Sequence, residues 1–131
     1  VCEDLKESLT IAKKAGISDE QIILDPGVGF GKTYEQNLSI IHHMECLKQF
    51  GYPVLLATSR KSVIGLTLDL EADQRVEGTL VTTVMGVEKG ASFVRVHDVK
   101  ENMRAIQMTQ AILREGYFRR RRNWGRNLLF L

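Results

Sequence analysis

The chain has 131 residues, enough for one domain, and its 44% hydrophobic and 26% charged residues are those of a globular protein. Its net charge of +2 has a local source: Arg119, Arg120, Arg121, Arg122 and Arg126 all fall in the last thirteen residues, which leaves 1–115 neutral to slightly acidic and argues against a general nucleic-acid surface. No apolar run reaches membrane-spanning length and no signal peptide is read; Cys2 and Cys46 lack metal-ligand spacing and read as reduced thiols of a cytosolic, cytoplasmic protein.

Glu3–Ala15 carries Leu5, Leu9, Ala12 and Ala15 along one face and predicts a helix that Gly16 ends. Neither a starting methionine nor a cap precedes it, so the expectation is a piece of a longer protein. Ser18-Asp19-Glu20 reads as a turn and Gln21–Leu24 as a buried strand. The strand leads into Asp25-Pro26-Gly27-Val28-Gly29-Phe30-Gly31-Lys32-Thr33. Alternating glycines let a ligand touch the backbone, and Pro26 fixes the exit direction. A carboxylate at a strand end beside a bare loop suits a polar heterocycle. Two phosphate loops fail by one residue each: a Walker A loop needs glycine where Pro26 stands, and a dinucleotide fingerprint needs glycine where Lys32 stands.

Thr33 and Gln36 form a capping-box pattern that starts a helix through about Phe50, with Leu38, Ile41, Met44 and Leu47 as its stripe. His42 and His43 fall beside that stripe and read as solvated. Val54–Thr58 is an apolar run, as expected of a strand buried on both faces, and it ends in Ser59-Arg60-Lys61-Ser62. Glu71–Gly90 predicts a helix with Val76, Leu80, Val84 and Val87 inward. Phe93–His97 predicts a strand on which Arg95 and His97, two apart, share a face. Asp98 caps the last helix with help from Glu101; Met103, Ile106, Ile112 and Leu113 line it, and Gly116 closes it.

The order α-βα-βα-βα predicts a parallel sheet with right-handed crossovers, with strands near 21–25, 54–58 and 93–97 side by side. Both a (β/α)8 barrel and a doubly wound sheet place ligands at the C-terminal strand ends, where all three polar clusters lie. Three strands are too few to close a barrel. Asp25 is placed to grip a neutral heterocycle. Arg95, His97 and Lys61, with Ser59 and Ser62, are placed to grip an anion. Lys61 alone would be a solvated lysine and Arg95 alone a partner of Asp98, but an inward Arg and His on one strand imply a task, because burying charge is costly.

Asp25-Pro26-Gly27-x-Gly29-Phe30-Gly31-Lys32, Ser59-Arg60-Lys61-Ser62-x-Ile64-Gly65 and Arg95-Val96-His97-Asp98-Val99 resemble three ordered motifs of dihydropteroate synthase over about residues 3–115. The resemblance implies an α/β fold, the C-terminal half of a (β/α)8 TIM barrel, with 1–115 the pterin-binding part and 116–131 a basic tail that matches nothing in the family. It implies a transferase of folate biosynthesis that joins p-aminobenzoate to a dihydropterin-methyl pyrophosphate, with Mg2+ on the pyrophosphate and the metal-side residue in the absent N-terminal half. Asp25 resembles the acid that binds the pterin, and Gly27, Gly29 and Phe30 line that pocket. Lys61 contacts the pterin and shapes the aminobenzoate site, to which Ser62 also belongs. Ser59 and Arg60 lie in the same motif, and Arg95 and His97 resemble the pyrophosphate pair. The implied catalytic residues are Lys61, Arg95 and His97. The implied partners are the two substrates, with pairing to a second copy left open, and no nucleic acid and no membrane. Two other readings stand beside it: a methyltetrahydrofolate-to-corrinoid methyltransferase, against which Lys61 and the Arg95/His97 pair argue, and a non-catalytic barrel piece.

Overall fold

Hydrogen bonds on both sides of the Pro53–Leu55 stretch connect the sheet. The computed structural model describes residues 1–114 and the backbone strand at 129–130. Leu24 bridges Val54 in parallel, with Leu24 N–H on Pro53 O (2.9 Å) and Leu55 N–H on Leu24 O (2.8 Å). On the other side Ser92 and Phe93 both donate to Val54 O. Strand β1 (Leu55–Leu56) then pairs in parallel with β2 (Phe93–Val94), Leu55 opposite Phe93 and Leu56 opposite Val94. The expected neighbours 21–25, 54–58 and 93–97 therefore do lie side by side and parallel, but each is short. Gln21–Leu24 shrinks to the single bridge at Leu24, and Ile23 is 48% exposed; among the described residues this edge pairs on one side only. Most of the basic stretch 116–131 lies outside the described residues. Its backbone at Leu129–Phe130 forms β3, parallel to β2 on the edge away from β1.

Helix α1 (Cys2–Lys14) ends at Gly16, whose φ of 78° only glycine adopts cheaply, with Ile17 N–H returning to Ala12 O. The expected turn at Ser18 is a 3-10 turn over Asp19–Gln21. Helix α2 (Tyr34–His42) begins with the predicted capping box, both arms formed between Thr33 and Gln36. It stops at His43 rather than running to Phe50; Met44–Phe50 is 3-10 and turns the chain towards Gly51. Met44 and Leu47 stay buried through that change, so burial rather than helix type sets the register.

Two helices replace the single predicted one before β2. Helix α3 (Ser62–Leu68) follows the polar strand end, and Asp69 ends it in a left-handed conformation, φ 54°. Helix α4 (Val76–Glu88) comes next. Its most buried face is Thr79, Thr82, Thr83 and Gly86, not the expected stripe of Val76, Leu80, Val84 and Val87, which is half-buried. Helix α5 (Val99–Leu113) buries Asn102, Ile106 and Thr109, while Ile112 and Leu113 are exposed, contrary to expectation. The predicted closure at Gly116 lies outside the described residues.

One core joins these elements: Leu24 and Val28 from the glycine loop, Ile41, Met44 and Leu47 from the α2 region, Val54 and Leu56 from the strands, Val63 and Ile64 from α3, and Val94 and Ile106 behind them. Burying each such aliphatic side chain contributes about 1.5–3 kcal/mol, which holds the C-terminal strand ends on one rim. Gly86 lets α4 approach β1: a Cβ there would fall 2.4 Å from Leu56 Cδ2.

Candidate active site

The turn Thr58–Lys61 presents the side chains that follow β1. Lys61 N–H bonds Thr58 O (3.1 Å), and Arg60 takes φ 58°, a left-handed conformation that costs a non-glycine residue about 1–2 kcal/mol. Three contacts fix it. Its N–H donates to Thr79 Oγ1 (3.1 Å), its carbonyl accepts from Arg75 Nη1 (2.8 Å), and its guanidinium makes a two-pronged pair with Asp98 (2.8 and 3.2 Å). The pair holds the Asp98 carboxyl below the usual carboxylate range, mainly through the hydrogen bond from Arg60.

This pairing corrects the expected cap at Asp98 and removes the alternative partner weighed for Arg95. Asp98 is the N-terminal boundary of α5 but makes no side-chain cap bond; its carboxylate goes to Arg60. Arg95 therefore does not pair with Asp98, and no ion pair to it is found among the described residues. Arg60 holds the turn and does not line the cleft described next.

Ser59, Lys61, Arg95 and His97 converge, with Ala57 and Val96, on one cleft of about 320 Å³ at the ends of β1 and β2. Ser59 is buried. Its Oγ accepts the His97 main-chain N–H (3.1 Å) and lies 2.8 Å from His97 Nδ1. With the hydroxyl proton on Nδ1, we assign the remaining imidazole proton to Nε2, as an outward donor. Arg95 and His97 are exposed rather than buried. A larger apolar groove of about 740 Å³ runs between α2, α3 and α4, past Leu38, Val63, Leu68, Val81 and Met85. No Lys or Arg lines it, although His42, His43 and Glu77 do, and it lies away from the strand ends, so the smaller cleft is the one built to grip an anion.

Lys61 connects the cleft to the glycine loop. Its Nζ donates to Val28 O and stands 4.5 Å from the Phe30 ring centre, a cation–π contact. Burial lowers its pKa; Asp25 opposes that shift, and the Arg95 and Lys32 charges add to it. Gly29 has φ 84°, and a Cβ on it would lie 3.0 Å from Lys61 Cδ, so glycine serves both the turn and the close approach. Gly27 N–H donates to Asp25 Oδ1 (2.8 Å), a local turn that aims the carboxylate. Among the described residues Asp25 Oδ2 makes no hydrogen bond. Phe30 is 65% exposed, an aromatic face beside the lysine.

Ser62 is not brought to the cleft. It opens α3, is exposed, and borders a separate hollow with Gly65, Asp69 and Arg75. Three residues that pattern reading passed over do support the site. Asn37, 4% exposed, accepts the Gly29 N–H (2.7 Å) and donates to Thr33 O (3.0 Å), tying the loop to α2. A mid-helix asparagine was the available signal, since its amide competes with the backbone. Lys32 folds back onto Gly27 O and Phe30 O. Thr79 is fully buried beneath the Arg60 turn.

No group of three or more His, Cys, Asp or Glu able to hold a metal occurs among the described residues. Lys61 and Arg95 give the cleft positive charge that would repel a bare divalent ion. The Mg2+ implied by the resemblance thus finds no ligand set here, and no chemical step below passes through it.

The sequence profile of the family described as pterin binding enzyme matches residues 1–97. The chain belongs to that family. Dihydropteroate synthase of Clostridium beijerinckii is 60% identical over 115 residues, 87% of this chain and 43% of that protein. The Bacillus subtilis synthase is 51% identical over 113 residues, 86% of this chain and 40% of that protein. The chain thus spans less than half the length of the curated relatives it matches. A Clostridium difficile dihydropteroate synthase, solved in the presence of pteroic acid, superposes with a TM-score of 0.80 at 53% identity over 84% of this chain and 42% of its own. A Yersinia pestis synthase with a pterin–sulfa conjugate gives 0.83 at 34% identity, over 86% and 45%. This chain therefore has the parallel α/β fold of those structures, part of a (β/α)8 barrel. The resemblance seen in the three motifs extends to the whole backbone they sit on.

Proposed function

We propose that this chain supplies the strand ends of a dihydropteroate synthase that grip the pterin and the pyrophosphate. The observation that carries the reading is the cleft in which Lys61, Arg95 and His97 face one volume beside Asp25 and Phe30. Asp25 Oδ2 accepts from the ring nitrogens of a neutral pterin, and Gly27, Gly29 and Phe30 cover its face. Arg95 and His97 Nε2 donate to the pyrophosphate. As the bond from the methylene carbon to the leaving oxygen breaks, charge accumulates on that oxygen, and these donors stabilise it most at the transition state. The amine of p-aminobenzoate attacks the methylene carbon and loses a proton. Lys61, between ring and leaving group, keeps the two halves aligned. Ser62, away from the cleft, meets the aminobenzoate only if α3 moves or the substrate extends past the rim. A methyl-transferring relative has no pyrophosphate to hold, so the Lys61 and Arg95 charges together with the His97 donor on one cleft favour the synthase. A cytoplasmic setting belongs to the same proposal; the structural finding is that, among the described residues, no helix is long and apolar enough to cross a membrane.

The reading also holds that the strand ends seen here need further rim residues for catalysis, because misplaced reacting groups lose rate steeply. The test is an assay of the purified chain with pterin-methyl pyrophosphate, p-aminobenzoate and Mg2+, alone and with the N-terminal half of a related synthase added. Product only in the mixture is expected, and it should vanish with Arg95→Ala. Turnover of about 1 per second or more by the lone chain, a usual enzymatic rate, would contradict the need for further residues and point to self-association. No product under either condition, from folded proteins, would contradict the synthase reading.

A further inference from the structure

Cys2 and Cys46, 44 positions apart in sequence, bring their Sγ atoms to 3.3 Å. Both are free thiols; Cys46 is exposed and Cys2 partly buried. Gln49 closes over them, its Nε2 3.7 Å from Cys2 Sγ and 2.8 Å from Cys46 O. The pair joins the first turn of α1 to the 3-10 segment Met44–Phe50. These two elements are held very differently. Met44 and Leu47 are core residues, whereas α1 has no fully buried residue and touches the core only through Cys2, Leu5 and Leu9. The most weakly anchored helix of the described chain therefore carries a thiol in contact with a thiol on the core.

We propose that Cys2 and Cys46 form a reversible disulfide that clamps α1 to the core. The oxidant is a small-molecule disulfide such as oxidised glutathione. The thiolate of one cysteine attacks a sulfur of the oxidant. A mixed disulfide forms, and the first small thiol leaves with its electron pair and takes up a proton. The neighbouring cysteine, after losing its proton, attacks the protein sulfur of that mixed disulfide; the second small thiol leaves in the same way. Two protein thiols are oxidised and one small disulfide is reduced to two thiols, so atoms and electrons balance. Exposure makes Cys46 the entry point, and Cys2 stands in contact to resolve the intermediate. The crosslink closes a long loop, which constrains the unfolded chain as well as the helix. The pair lies outside the cleft and none of its atoms contacts Asp25, Lys61, Arg95 or His97, so it regulates the hold on α1 and leaves the ligand donors intact.

The test equilibrates the full chain in glutathione buffers of rising oxidised fraction, blocks remaining thiols by alkylation, and reads intact mass and peptide maps. Both thiols should disappear together, leaving a monomer lighter by two hydrogens with no retained glutathione, and digestion should yield a peptide in which Cys2 is joined to Cys46. Dithiothreitol should restore both thiols. Oxidation should raise the melting temperature and slow tryptic cleavage after Lys6, Lys13 and Lys14 at least several-fold. Cys46→Ser should abolish both effects, and if that variant does not fold, the peptide map of the unaltered chain still decides. Persistent free thiols, stable glutathione adducts on separate cysteines, disulfide-linked dimers, or a joined peptide without protection of α1 would each overturn the clamp.

Discussion

Lys61 shows how one side chain couples ligand charge to pH. Burial disfavours its ammonium, Asp25 opposes that, and Arg95 and Lys32 reinforce it, so its pKa lies below the usual lysine value of 10.5. The folded chain thus gives up this proton before the unfolded chain does. The cost of burying the charge is fully present below the folded pKa and fades as pH rises towards 10.5, so stability from this residue rises through that window. Denaturant melts from pH 8 upward should show the wild type gaining on Lys61→Met; parallel curves would mean the lysine is solvated in solution. Sulfate affinity should fall over the same window in the wild type, and that loss should be absent in Lys61→Arg, whose guanidinium stays charged. Arg60 is the opposite case. Its two-pronged pair with Asp98 and its left-handed backbone mark it as a holder of the turn, a role hidden from sequence because it depends on a partner 38 residues away.

At the scale of elements, the buried polar face of α4 is what positions the turn after β1. Thr79 accepts the Arg60 N–H, Thr82 bonds Thr58 Oγ1 at 2.7 Å, and Thr83 donates to Asn102 of α5, whose amide caps back to Asp98 O. The chain of hydroxyls thus runs from β1 to the start of α5. Thr79→Val keeps the shape and orphans the Arg60 N–H, so it should lower unfolding free energy by about 1–3 kcal/mol. A change under about 0.5 kcal/mol in urea melts, the level of an ordinary surface substitution, would mean the Arg60–Asp98 pair alone fixes the turn. Arg75 lies flat on Gly65, where a Cβ would meet Nη2 at 2.2 Å, while it donates to Leu70 O and Arg60 O. Gly65→Ala should displace that guanidinium and cost about 1–3 kcal/mol by overpacking, read in the same melts.

The same elements differ in how far the sequence alone dictates them. Capping at Thr33, the stop at Gly16, the parallel strand order and the gathering of Lys61, Arg95 and His97 were all legible, because each follows from local chemistry or from period-two alternation. Helix α3 was not, because Ser62–Leu68 has only seven residues and too few turns to show a stripe. The inward face of α4 is hidden in the sequence because a valine stripe outranks threonines on any hydropathy pattern, yet a threonine hydroxyl, which valine lacks, accepts the main-chain N–H of Arg60. Ser62 does open a helix, as its expected place near a helix N-terminus requires, but it borders a hollow separate from the cleft.

For the whole molecule, the central claim is that one rim holds two chemically different ligand ends, a neutral heterocycle at Asp25 and an anion at Arg95 and His97. Asp25 is exposed at the end of its bridge, while the cations share a cleft one and two strands away, linked through Lys61 and the Gly29–Phe30 turn. Two ends held separately predict separable losses. The direct measurement is calorimetric titration of inorganic pyrophosphate and of pterin-methyl pyrophosphate into the wild type, Arg95→Ala and Asp25→Ala, each checked for folding by circular dichroism. Arg95→Ala should weaken both ligands by about 1–3 kcal/mol, the worth of charge-assisted hydrogen bonds, while Asp25→Ala should weaken the pterin ligand and leave pyrophosphate unchanged. Pyrophosphate affinity unaltered in folded Arg95→Ala, or reduced equally for both ligands by Asp25→Ala, would contradict the two-ended site.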